Sequence, residues 1–210
     1  VYEIIDYYRL AIKKYLDVSD SGLQCFLFEK PEPSYKHETV NDGVHMFFPN
    51  IIANSMIRHL IRDEVVSLAN KSTSFNCYSN QIDKIFDKSI VSVNHWFLYG
   101  SSKPCSKPYQ LMSIIAHDNS EINKDEYLDD NITKFLSLQG KRWKKSEASK
   151  YQDEYDENTI NSIYNKKDHN SYVNNEEELF PDEDDENRIR KAVLLVEMLN
   201  KKRSDCYGEW

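Results

Sequence analysis

The chain has 210 residues, a net charge of −8, 30% charged side chains and only five glycines. That length suits one domain plus appendages. No apolar run nears the roughly 20 residues of a membrane span and no signal peptide is visible, so no membrane partner is expected.

The acidity is local. Residues 152–186 hold thirteen acids against Lys166 and Lys167, while the other 175 residues hold 25 basic and 22 acidic side chains, or +3. The charge therefore does not exclude a polyanionic partner for the body of the chain. Cys25, Cys77, Cys105 and Cys206 are scattered without paired metal-ligand spacing, which reads as reduced thiols in an intracellular protein.

Ile5, Tyr8, Ile12, Tyr15 and Leu16 recur at helical spacing and predict a helix over residues 2–16, with Lys13 and Lys14 near its C-terminal end. Residues 17–22 read as a turn and residues 23–30 as a strand. A polar connection with Pro31 and Pro33 leads to Asn41-Asp42-Gly43-Val44-His45-Met46-Phe47-Phe48-Pro49; the two strands predict a long hairpin with a mobile loop. Period-two alternation sends Val44, Met46 and Phe48 to one face as core. Gly43, His45 and Phe47 take the other face, where Gly43 leaves room for a ligand beside His45. A hydrogen-bonded structural histidine fits the same pattern.

Met56, Ile57, Leu60, Ile61, Val65 and Leu68 predict a helix from about residue 52 to 70. Arg58 and Arg62 lie four apart on another face and read as a solvated flank, with a phosphate-backbone contact at Arg58 as the alternative. Residues 71–84 form a Ser/Asn-rich connector to Asp87. The β-branched run Ile90, Val91, Val93 and the aromatic-rich run Trp96, Phe97, Leu98, Tyr99 read as two strands, broken at Asn94 and His95. Gly100-Ser101-Ser102 then delivers Lys103 before Pro104. An acid and a lysine at the ends of neighbouring strands suit a metal-binding carboxylate and a phosphate-binding ammonium. A turn cap and a solvated lysine suit them as well.

Residues 109–116 read as a final strand, His117-Asp118-Asn119 as its turn, and the weakly periodic residues 120–140 as a short helix on the sheet's flank. Lys141-Arg142-Trp143-Lys144-Lys145 is either a solvated helix end or a track for single-stranded DNA, with Trp143 stacking on a base. Residues 151–186 are acidic, Asn-rich and poor in aliphatics, and predict a flexible linker with one transient helix. Ile189, Val193, Val196 and Leu199 restore an amphipathic helix, followed by Arg203, Asp205, Tyr207 and Trp210.

Together these stretches resemble a known family. A small residue, any residue and a histidine (Gly43, Val44, His45), followed further on by apolar-Asp (Phe86-Asp87), resemble the second and third motifs of archaeo-eukaryotic primases. The wording is closer still to the primase part of the primase–helicases of large DNA viruses of the poxvirus, asfarvirus and mimivirus type. Those carry a similar Gly-x-His-x-x-x-Pro strand. Their Asp-x-x-(Ser/Ala)-Val … Leu-Tyr-Gly-Ser-x-Lys-Pro … Pro-Tyr-x-Leu segment is matched here between Asp87 and Lys103, except that Ile90 stands at the Ser/Ala position, and by Pro108-Tyr109-Gln110-Leu111. The resemblance spans about residues 1–115.

It implies an α/β fold, a mixed α+β sheet flanked by helices, as a partial primase-like catalytic core in residues 1–150. The acidic linker follows at 151–186, and residues 187–210 resemble the opening of the helical accessory domain found C-terminal to many viral primases. By carry-over, His45 contacts the incoming nucleotide's phosphates with Gly43 as spacer, Lys103 is a second phosphate contact, and Ser101 and Ser102 are further donors. Asp87 is a metal ligand, for Mg or Mn.

The family's first motif, two acids one residue apart on a strand, is absent from this chain. The resemblance places it just upstream of Val1, so the chain reads as an internal piece of a longer protein. Alone it would lack catalysis, because one carboxylate does not assemble a two-metal site. The parent is expected to synthesise primers on single-stranded DNA from nucleoside triphosphates, fused to an ATP-dependent superfamily 3 helicase, in the virus factory of the host cytoplasm. The alternative is a non-catalytic nucleic-acid-binding or scaffolding domain on the same scaffold.

Overall fold

The computed structural model describes residues 1–36, 39–92, 98–102, 106–128, 132–136 and 148–167. The apolar stripe at the chain's start forms helix α1 (Tyr2–Tyr15), which buries Ile5, Arg9, Ala11, Ile12 and Tyr15. Leu16 adopts extended geometry, ending the helix, and Leu16–Asp17 becomes the short strand β1. Strand β2 (Cys25–Glu29) is buried along its first four residues, the signature of a strand covered on both faces.

A hairpin of β3 (Ser34–Lys36) and β4 (Thr39–Asn41) separates β2 from β5 (Val44–Phe47). Downstream come β6 (Gln110–Ile115) and β7 (Glu121–Ile122). These build a four-stranded antiparallel sheet in the order β5-β2-β6-β7. Chain reversal between β6 and β7 runs through Asn119, at φ 66°, a left-handed conformation that Asn tolerates better than most residues. The fold class is therefore mixed α and β, as the sequence predicts.

One face of the sheet meets α1 through Ile5, Cys25 and Ile115, with Met46 and Phe48 alongside. Val44, predicted with that core set, is instead partly exposed at the strand's open end. The other face holds Phe26, Phe28, Leu111 and Ile114, covered by Ile132 and Phe135 of the short helix α5 (Ile132–Leu136). Helix α2 (Ser55–Ala69), capped by the Asn54 side chain on the Ile57 amide, is the centre of the helical layer. It packs with α1 in one cluster through Leu60, Ile61 and Val65.

Three further readings change. Ile90 and Val91 lie not on a strand but in a helical turn, α4 (Ser89–Ser92), preceded by another, α3 (Ile82–Ile85), within the stretch read as connector. The local cause is Asp87, whose Oδ1 accepts from both the amide and the hydroxyl of Ser89 at 2.9 and 2.6 Å. Such Asx capping starts a helical turn despite the β-branched sequence.

Arg62 is not a solvated flank. It is 6% exposed and donates to the Phe86 carbonyl and to both the carbonyl and the carboxylate of Asp83.

Residues 151–167, read as the start of a flexible linker, are ordered. Strand β8 (Lys150–Tyr151) pairs antiparallel with β1. Helix α6 (Glu157–Lys166), capped by Asp156 on the Thr159 amide, buries Ile160 and Tyr164 in the helical cluster. Residues 168–210, including the rest of that linker and the accessory segment, lie outside the described residues.

Candidate nucleotide site

Glu29 of β2 lies in register with Val44 of β5 on one side and Gln110 of β6 on the other. Lys30, Gly43 and Tyr109, the chain neighbours of this rung, therefore gather at one end of the sheet. His45, one step further in, lies opposite Phe28 and shares its face.

The sheet brings His45 and Tyr109 into a parallel stack, ring centroids 3.9 Å apart and planes 11° from coplanar. A Cβ added at Gly43 would stand 3.1 Å from the Tyr109 hydroxyl oxygen, so the glycine is the slot that admits the phenol. The ammonium of Lys30 sits 5.8 Å from the centre of the Tyr109 ring, within cation–π range.

Charge at this corner is mixed. Burial, and then Lys30, hold the His45 imidazole below its ordinary pKa, which keeps it neutral at neutral pH. Burial, and then Asp42, raise the Tyr109 phenol. Asp42 itself accepts the Gly43 amide proton at 2.9 Å. A neutral imidazole can donate to an anion through whichever nitrogen carries its proton.

Tyr99 packs on Phe28 at 5.8 Å between ring centroids. The turn carrying Ser101 and Ser102 thus leaves from the face that His45 occupies. Gly100, at φ 85°, makes that turn, and the Ser101 amide donates to the Leu98 carbonyl. Ser102, predicted as a phosphate donor, gives its hydroxyl proton to the Ser106 carbonyl at 2.7 Å; it braces the loop. Ser101 is exposed.

Asp87 has a different neighbourhood. Phe86 before it joins Tyr8 and Phe75 in the helical cluster, and Tyr8 in turn touches Phe48, at the far end of β5 from Gly43. The carboxylate is exposed and engaged with Ser89. The strand-end mount predicted for Asp87 is thus a capped loop.

Arg58 is half-buried on α2. Lys103 and Trp143 lie outside the described residues. Among the described residues, no three of His, Cys, Asp and Glu are grouped to hold a metal ion. The described residues do not by themselves fit a divalent ion.

Sequence reasoning missed the partners. Tyr109 was legible as part of the Pro-Tyr-x-Leu match, but its stack on His45 depends on cross-strand register. Arg9 fell on the buried stripe with Ile5 and Ile12, four and three residues away, and this spacing marks it as an inward-facing cation. It donates to Leu23, Ile115 and Ala116 carbonyls and to the Asp6 and Asn119 side chains. That joins α1 to the β6–β7 turn.

The molecule thus presents an antiparallel sheet with helices on its faces and a Gly-x-His strand at its edge. A family model described as "C962R protein N-terminal AEP domain" matches residues 1–115, and the chain belongs to this archaeo-eukaryotic primase (AEP) family. It is also similar to a protein of Acanthamoeba polyphaga mimivirus named "Putative helicase", at 28% identity over 132 residues. That alignment covers 61% of this chain and 14% of the mimivirus protein. No solved structure matches. Among the described residues, no helix is long and apolar enough to cross a membrane.

Proposed function

We propose that the chain is part of a viral replication primase–helicase. The protein that contains it would make primers on a single-stranded DNA template by nucleotidyl transfer from nucleoside triphosphates, at replication sites in the host cytoplasm. A superfamily 3 helicase domain would accompany it. The observation that carries this reading is the Gly43–His45 corner of a family-assigned primase domain, where an imidazole and a lysine stand beside a glycine slot. Such a corner suits a polyphosphate, with His45 as the phosphate contact and Gly43 its spacer; the family resemblance adds Lys103 as a second cation and Ser101 as a further donor.

Primases of this family depend on a divalent ion, here Mg or Mn. Asp87 is the residue of this chain read as a ligand, its remaining partners lying outside the described residues. Arg58 and Trp143 are the proposed DNA contacts. Positioning and fixed charge, rather than covalent chemistry by the protein, are what this transfer requires.

One observation favours a second reading. Asp87 caps its own turn through Ser89, as expected of a structural aspartate in a non-catalytic nucleic-acid-binding or scaffolding domain.

Asp87→Asn in the natural, full-length protein separates the two. The primase reading expects primer synthesis to fall by about a hundredfold or more while single-stranded DNA binding stays within about twofold. Retained synthesis, or equal loss of both, assigns Asp87 to structure.

A further inference from the structure

We propose that Tyr109 is a positioning residue for His45, a second ring that fixes the plane of the imidazole so that its donor nitrogen faces a triphosphate, with Lys30 the cation that completes the corner. The inference rests on the reading of His45 as a phosphate contact and adds to it the two residues that hold and charge the site.

Four observations converge. The His45 and Tyr109 rings are coplanar to 11° at 3.9 Å, closer than the usual spacing of aromatic pairs in protein cores. The stack joins β5 to the residue that leads into β6, a strand that is not its neighbour, since β2 lies between them. The rings thus bridge over the central strand near Phe28, whose register partners are His45 and Leu111. Gly43 is bare where a Cβ would crowd the Tyr109 hydroxyl. Finally, Lys30 extends from the end of β2 to within 5.8 Å of the same phenol ring.

A histidine that merely filled space would not need a parallel partner from a non-adjacent strand. An imidazole confined to one plane presents its ring N–H along one line, which is how orientation lowers the entropic cost of gripping a phosphate. Lys30 supplies positive charge without requiring His45 to protonate, in a corner where the Asp42 carboxylate, which accepts the Gly43 amide proton, also lies. The ligand class is a nucleoside triphosphate, bound here by its phosphate tail.

ATP binding with magnesium, measured by titration calorimetry on the 210-residue chain, tests the inference. His45→Ala and Lys30→Ala are each expected to weaken ATP by about tenfold. Tyr109→Leu should weaken it by about three- to tenfold through loss of the ring pair, whereas Tyr109→Phe, which keeps the ring, should stay within about twofold. Gly43→Ala should also weaken binding, and adding Tyr109→Phe should restore it, because the added methyl crowds only the hydroxyl. The His45 ring protons should be shifted upfield by the stacked ring in the unmodified chain and in Tyr109→Phe, and not in Tyr109→Leu.

ATP affinity unchanged in a folded Tyr109→Leu variant, with His45→Ala still weakened, would overturn the positioning role alone. Unchanged affinity in Lys30→Ala would remove that residue from the site. Failure of the unmodified chain to bind ATP, or full binding by His45→Ala, would instead overturn the phosphate reading of His45.

Discussion

At the scale of single residues, two buried arginines among the described residues tie separate segments together. Arg62 and Arg9 are each 6% exposed, and each is satisfied by several carbonyl and carboxylate acceptors, the condition under which a buried guanidinium is tolerated. Arg62 fixes the α3 turn to α2 and so sets the position of Phe86 and, next to it, Asp87.

Cys25 shows the opposite solution. It is fully buried between sheet and α1, and burial pushes its thiol up to about 12 despite the opposing influence of Arg9. Burial disfavours the thiolate, so at pH 8 Cys25 should resist iodoacetamide while exposed Cys77 reacts. Peptide mass mapping of the alkylated native chain checks this, and urea should abolish the difference. The linked stability has a definite sign. The unfolded thiol ionises near its ordinary pKa of ~8.5 and the folded one does not, so Cys25 costs stability only as pH rises above that value.

At the scale of elements, the segment with the most consequence is the one whose sequence argued least for order. Helix α6 lies within an acidic, Asn-rich stretch, where low aliphatic content reads as linker. Two side chains, Ile160 and Tyr164, nevertheless seat it in the helical cluster. Gln152 anchors the approach by donating to the Lys13 and Leu16 carbonyls. Ile160 is fully buried, so Ile160→Ala should destabilise the chain by about 2–4 kcal/mol in urea unfolding. An effect near zero would return the segment to linker.

The same scale explains the mistaken strand at Ile90. The β-branched pair Ile90 and Val91 carries only a weak preference, and one capping aspartate with a buried Val91 overrides it. By contrast α1, α2, β2, β5 and β6 were legible, because each carries a sustained 3.6- or two-residue pattern that no neighbour contradicts.

At the scale of the whole molecule, the sheet separates two apolar layers, and the candidate site occupies one corner where three strands end. The separate motifs of that corner were legible as words in the sequence: Gly-x-His, and Pro-Tyr-x-Leu. Their meeting was not, because it depends on β6 crossing beside β2 rather than beside β5, a choice made by long-range pairing. For the same reason Asp87 could be recognised by motif order but not located, and its exposed, capped loop is a property of α3 and α4 rather than of the sheet.

On the proposed function, the imidazole on β5 grips the incoming nucleotide during primer synthesis. The most direct measurement of this grip is the nucleotide dependence of primer synthesis by the natural, full-length protein, with and without His45→Ala. The predicted result is a fall in kcat/KM for nucleotide of about a hundredfold, with template binding preserved. Unaltered kcat/KM in that variant would contradict it.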